Sequence, residues 1–164
     1  MRSIYLCGFM GCGKSTIGHE TARVTGRKFV DTDLIVEEKN NITISEIFDK
    51  YGEEYFRKLE TEVIKELEMQ KSYVISLGGG AINDVNLKHI KKNGIVVYLE
   101  VEFETCYHRI KHSDRPIVKN STKEELFELF NKRIVNYKAN CNWAINAENS
   151  PFDIAKSISK ILMT

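Results

Sequence analysis

The sequence predicts an α/β fold in which helices surround a parallel sheet. Short runs rich in β-branched and aromatic residues alternate with longer amphipathic stretches, the pattern of successive βαβ units. Two of these runs, 73–77 (YVISL) and 95–99 (IVVYL), are almost continuously apolar, as expected of strands buried on both faces. The length of 164 residues is that of one domain, so 1–164 is read as a single unit, and 42% hydrophobic with 29% charged residues can supply a sizeable core.

Taken in order, residues 3–7 (SIYLC) form the first strand. A helix is expected from Lys14 to about Val24, closed by Gly26, followed by a second strand at 28–31. The chain turns helical after Asp33, and Thr43 with Glu46 has the capping-box spacing that starts a short helix ending near Gly52. From Glu53 to about Met69, Phe56, Leu59, Val63 and Leu67 recur at helical spacing and form one buried stripe. The 73–77 and 95–99 strands come next. Helical patterns at 104–110 and 123–138 bound a stretch, 111–121, that lacks apolar periodicity, contains Pro116 and reads as a mobile loop. A last strand at 143–146 precedes a closing helix that Pro151 opens and that runs through Ile161. Tyr137 and Trp143 read as packing residues.

Composition excludes several function classes. A formal net charge of +1 gives no long-range field to recruit nucleic acid or an anionic membrane, so any anion site must be local. No apolar stretch approaches the roughly 20 residues of a membrane span, and the N-terminus does not read as a signal peptide. The four cysteines, Cys7, Cys12, Cys106 and Cys141, are irregularly spaced, which fits reduced thiols in a cytoplasmic protein better than a disulfide framework or a zinc finger.

Residues 8–15 (GFMGCGKS) match G-x-x-x-x-G-K-[ST] and lie between an expected strand and an expected helix, the context this phosphate-binding loop requires. Glycines let successive backbone N–H groups converge on phosphate oxygens at the positive end of the helix that begins there. Gly11, Cys12, Gly13, Lys14, Ser15 and Thr16 are therefore the candidate ATP contacts. Lys14 is a mobile charge for the β- and γ-phosphates, the Ser15 hydroxyl is a direct ligand for Mg²⁺, and Thr16 supports the helix start. For Cys12 the backbone N–H matters more than the sulfur. The loop alone does not choose the acceptor, since GTPases, ATPases and many kinases share it.

Three further features bear on the acceptor. Asp31-Thr32-Asp33 follows the second strand, which puts both carboxylates at the sheet edge that carries the phosphate loop. One can order Mg²⁺ through water and the other can take a proton from an attacking hydroxyl, while an N-cap role is the alternative for either. Arg57 and Glu60, three apart on a helix, read from periodicity alone as a surface ion pair. Gly78-Gly79-Gly80 permits close backbone approach to a ligand or is a flexible strand exit.

Together these motifs resemble the shikimate kinase family: the phosphate loop, the DTD after the second strand, GE..FR..E from Gly52, the triple glycine, a DRP at 114–116, and R...Y from Arg133. The order and spacing agree from Gly8 to about Pro151. The resemblance implies a P-loop kinase with a five-stranded parallel sheet of the nucleoside-monophosphate-kinase kind, a helical acceptor region at about 32–61 and a lid at about 111–121. It implies transfer of the ATP γ-phosphate to the 3-hydroxyl of shikimate, a step of aromatic amino acid (chorismate) biosynthesis, by a monomer with Mg²⁺. It further implies that Asp33 holds shikimate hydroxyls and is the base, that Asp31 orders Mg²⁺ through water, and that Arg57 and Arg133 clamp the carboxylate. The backbone of Gly78, Gly79 and Gly80, chiefly Gly79, would bind the ring hydroxyls, and Arg115 would reach the transferring phosphate. Arg109, with Lys111 as the alternative, would stack on adenine. A related small-molecule or nucleoside-monophosphate kinase, or a catalytically silent nucleotide-binding module, are the competing readings.

Overall fold

The central strand shows how the sequence divides its apolar residues. In a computed structural model that describes residues 1–164, β1 (Ser3–Cys7) is buried along its whole length. Side chains alternate across a strand. Ile4 and Leu6 accordingly enter one core layer with Val74, Val97 and Leu99, while Tyr5 and Cys7 enter the other with Ile75, Val96 and Tyr98. A strand that must fill two layers cannot alternate polar with apolar residues, which explains the continuous apolar runs.

β1 is flanked by β3 (Tyr73–Ser76) and β4 (Gly94–Glu100), and the edges are β2 (Lys28–Asp31) and β5 (Trp143–Asn146). The order is β2-β3-β1-β4-β5 and every pairing is parallel. Parallel neighbours need crossovers. Helices α1 (Lys14–Thr25), α2 (Thr32–Asn40), α3 (Ile44–Tyr51), α4 (Glu53–Leu67), α5 (Asp84–Asn93), α6 (Phe103–Ile110), α7 (Pro116–Lys119), α8 (Lys123–Asn140) and α9 (Pro151–Ile161) supply them or close the fold. No helix is long and apolar enough to cross a membrane.

Local signals act as expected at several ends. Gly26 closes α1 at φ 65°, and Thr43 and Glu46 form the reciprocal capping box of α3. Three expectations need correction. The 84–93 segment, to which the sequence reading gave no element, is α5, capped by the Asn83 side chain on Asn86 N–H and anchored by buried Leu87 and Ile90. The stretch read as a loop at 111–121 contains the one-turn helix α7, opened by Pro116 and fastened to the core by Val118. Trp143 is 47% exposed because β5 is an edge strand, so it is not a core packing residue.

The consequence for function is positional. The chain leaves β1 into residues 8–13, leaves β2 at Asp31 and leaves β3 into Gly78–Gly80. Three parallel strands thus deliver all three motifs to one edge of the sheet, the edge where ligands of open α/β folds bind.

Candidate functional site

The phosphate loop needs its glycines for conformation. Gly11 and Gly13 sit at φ 80° and 97°, in the left-handed region that side chains resist. Gly13 is also the N-cap of α1, where no side chain occupies the first-turn N–H groups. Those donors face a cavity of about 450 Å³. The Lys14 ammonium lies across the loop, donating to the Gly8 and Phe9 carbonyls at 2.7 and 3.3 Å. Cys12 is buried, and a Cβ on Gly8 would come 2.6 Å from its sulfur, so the thiol faces the interior. Thr16 lies in the first turn of α1 and lines the cavity.

Asp31 uses its two oxygens differently. Its Oδ1 accepts from Asp33 N–H (2.9 Å) and Leu34 N–H (3.3 Å) as the N-cap of α2, while its Oδ2 accepts from the Ser15 hydroxyl at 3.4 Å. A hydroxyl and a carboxylate oxygen therefore converge at the cavity, a hard oxygen pair that suits Mg²⁺ with its remaining waters. Thr32, between the aspartates, is fully buried; its hydroxyl donates to Ser76 C=O and accepts from Gly78 N–H, tying the start of α2 to the exit of β3.

Asp33 points beyond that tie. Its Oδ1 is buried without a partner, and burial, reinforced by the charges of Asp31 and Glu60, pushes its carboxyl up to about 6. Glu60 has no exposed side-chain surface. One of its oxygens accepts from Arg57 at 2.9 Å and the other is buried without a partner. Burial raises this carboxyl too, against the pull of Arg57. The Arg57–Glu60 pair is thus not the surface pair that spacing suggested, because the face of α4 carrying it packs toward the sheet edge. Arg133, on α8, is lowered by burial, with Arg57 nearby adding like charge.

The triple glycine is where these groups meet. A Cβ on Gly78 would lie 2.9 Å from both Asp33 Oδ1 and Glu60 Oε2, one on Gly79 would lie 2.6 Å from the Arg133 guanidinium, and one on Gly80 would collide with that of Arg57. Each glycine faces different charged groups, the two carboxylates at Gly78, Arg133 at Gly79 and Arg57 at Gly80. Asp33, Arg57, Arg133, Glu60 and Gly78–Gly80 line a second cavity of about 690 Å³. Met10, Asp33, Gly78, Gly79 and Arg115 border both cavities, which makes them neighbouring halves of one site. Arg115 stands at the N-cap of α7, in the segment between α6 and α8.

On the far side of the first cavity, Arg109 donates to Gly11 C=O at 2.8 Å and lines the wall with Ala147, Asn149 and Pro151. Lys111 does not line it and instead lies 3.5 Å from His108 Nδ1. Sequence reasoning missed Glu60 as a site group and Thr32 as a tie. It also missed that the Tyr137 hydroxyl donates to Gly79 C=O at 2.5 Å. A Glu three residues from an Arg on the face of the apolar stripe was the one available signal, since Phe56, Glu60, Val63 and Leu67 share a helical face.

Comparison with known proteins agrees with this arrangement. The family model described as shikimate kinase matches residues 10–163. A shikimate kinase of Sulfurihydrogenibium sp. is 42% identical, with 96% of each chain covered, and one of Clostridium botulinum is 38% identical over 98% of this chain and 96% of its own. The solved structure described as shikimate kinase from Acinetobacter baumannii in complex with shikimate has a TM-score of 0.93 at 36% identity, covering 99% of this chain and 93% of that one. Agreement of sequence and three-dimensional structure across nearly the whole chain leaves one conclusion: the chain belongs to the shikimate kinase family.

Proposed function

We propose that ATP occupies the cavity of about 450 Å³, shikimate the one of about 690 Å³, and that the γ-phosphate passes between them at Asp33 and Arg115. The observation that carries this reading is the shared border. A buried carboxylate and a guanidinium stand where a nucleotide site meets a cavity that holds two further guanidiniums.

Each residue's part follows from its chemistry. The N–H groups of Gly11–Ser15 and the Lys14 ammonium bind phosphate oxygens, with Thr16 beside them and Arg109 against the base. Ser15 would hold Mg²⁺ directly and Asp31 through water, and the ion when bound supplies neutralisation of phosphate charge. Arg57 and Arg133 hold the acceptor carboxylate, for which guanidinium forks are better matched than lysines. Glu60 fixes Arg57 in place. Asp33 accepts a hydrogen bond from the 3-hydroxyl and takes its proton as the oxygen attacks, and Arg115 stabilises charge on the transferring group. Closure of 111–121 over the nucleotide would exclude water. The four free thiols fit the reducing environment of the cytoplasm.

Two variants test the division of labour. Lys14→Ala is expected to lower kcat at least about a hundredfold with any acceptor, as removal of a charge-stabilising group does. Arg133→Ala is expected to raise the KM for shikimate at least about tenfold while the KM for ATP stays within about twofold, as loss of a hydrogen-bonded ion contact predicts. Unchanged shikimate kinetics in Arg133→Ala would refute the assignment of the second cavity.

A further inference from the structure

The Gly78–Ile82 segment is tied down by its carbonyls. Gly78 C=O accepts from Ala81 N–H, Gly79 C=O from the Tyr137 hydroxyl, Ala81 C=O from Asn83 N–H and the Asn86 amide, and Ile82 C=O from the Asn136 amide. Gly78 N–H donates to Thr32. The N–H groups of Gly79 and Gly80, by contrast, have no acceptor within the protein. Both residues are partly exposed and line the acceptor cavity, so these two donors are open to whatever occupies it.

Two of those ties come from adjacent residues of α8, on the face that carries Arg133. Arg133, Asn136 and Tyr137 are spaced i, i+3 and i+4. Both side chains are themselves fixed. The Tyr137 ring is 1% exposed and packs on Tyr98, with ring centroids 5.4 Å apart. The Asn136 amide oxygen accepts from Asn140, which turns its NH₂ toward Ile82.

The peptide plane turns this anchoring into a functional statement. In a trans peptide the carbonyl of one residue and the N–H of the next point in opposite directions from one rigid plane, and no peptide bond here is cis. Holding Gly79 C=O on Tyr137 therefore sets the direction of Gly80 N–H. A Cβ at Gly80 would run into the Arg57 guanidinium, and one at Gly79 into that of Arg133, so this free donor stands with both arginines.

We propose that Tyr137 is a positioning residue for acceptor binding: its hydroxyl, with the Asn136 tie beside it, locks the Gly79–Gly80 peptide so that Gly80 N–H is presented to the acceptor's carboxylate between Arg57 and Arg133. The proposal rests on the assignment of the second cavity to shikimate. It explains why a tyrosine rather than a phenylalanine occupies a fully buried, aromatic-packed position.

Tyr137→Phe keeps the ring and removes the tie. Two ligands separate its effect from a loss of stability: shikimate, and the analogue whose carboxylate is reduced to a primary alcohol. Tyr137→Phe should weaken shikimate about tenfold, the scale of one hydrogen bond to a charged group. It should leave the alcohol within about twofold and the KM for ATP unchanged. Equal weakening of both ligands, or no weakening of either, overturns the proposal. Should wild type fail to phosphorylate shikimate, the functional assignment itself falls, an outcome distinct from an unselective variant. A second measurement needs no variant: in ¹⁵N-glycine-labelled wild type, the Gly80 amide proton should move strongly downfield with shikimate and not with the alcohol, and an unmoved Gly80 signal again overturns it.

Discussion

Asp33 shows what a single residue gives up for its role. Its carboxyl rises from 3.8 to about 6 because burial and the neighbouring acids disfavour its charge. At neutral pH it is ionised and able to accept a proton; as pH falls through about 6 it is protonated and can no longer do so. The kcat–pH profile is therefore expected to lose activity on its acid side near pH 6, and a flat profile down to pH 4.5 would contradict this. Stability runs the other way. The native state binds this proton more tightly than the unfolded chain, so the residue favours folding increasingly as pH falls from about 6 toward 4. Asp33→Asn removes the buried charge, and should raise the melting temperature at pH 7, by on the order of 1–3 kcal/mol of stability, while abolishing turnover. Thermal melts and initial rates on the same preparation check both halves. Little of this was readable beforehand. The DTD spacing pointed to acids at the sheet edge, but burial of Asp33 depends on Glu60 and Gly78, which only the fold brings to it.

At the scale of elements, those with a repeating physical signal were the legible ones. β1 and β4 announce themselves by continuous apolar runs, and α3 by its capping box. One-turn α7 has too few residues to express a period, and its one buried apolar residue is Val118, with Ile117 packed partly buried beside it. α5 carried a signal, the Asn83 cap before Leu87 and Ile90, that was weaker than the strands on either side. The triple glycine was legible as a place of close approach, although what approaches in the structure is the side chains of Arg57, Arg133, Asp33 and Glu60. Gly80→Ala tests that reading. Its Cβ displaces the end of a flexible side chain rather than backbone, so the protein should fold with a melting temperature close to wild type. The KM for shikimate should rise about tenfold with the KM for ATP unchanged, the scale of one misplaced charged contact. A normal shikimate KM would mean that the Arg57 position is immaterial.

For the whole molecule, topology does the assembling. Residues from position 10 to Pro151 reach one site because three parallel strands end at one edge and α8 returns beneath their loops. The motifs were legible one at a time, whereas the sharing of Asp33 and Arg115 between two cavities is a property of the closed fold. The central claim, acceptor-dependent phosphoryl transfer, is tested most directly by following ADP formation from ATP and Mg²⁺ with shikimate, gluconate, each nucleoside monophosphate, or no acceptor. ADP formation stimulated by shikimate alone is the predicted result; stimulation by another acceptor, or by none, would contradict the account.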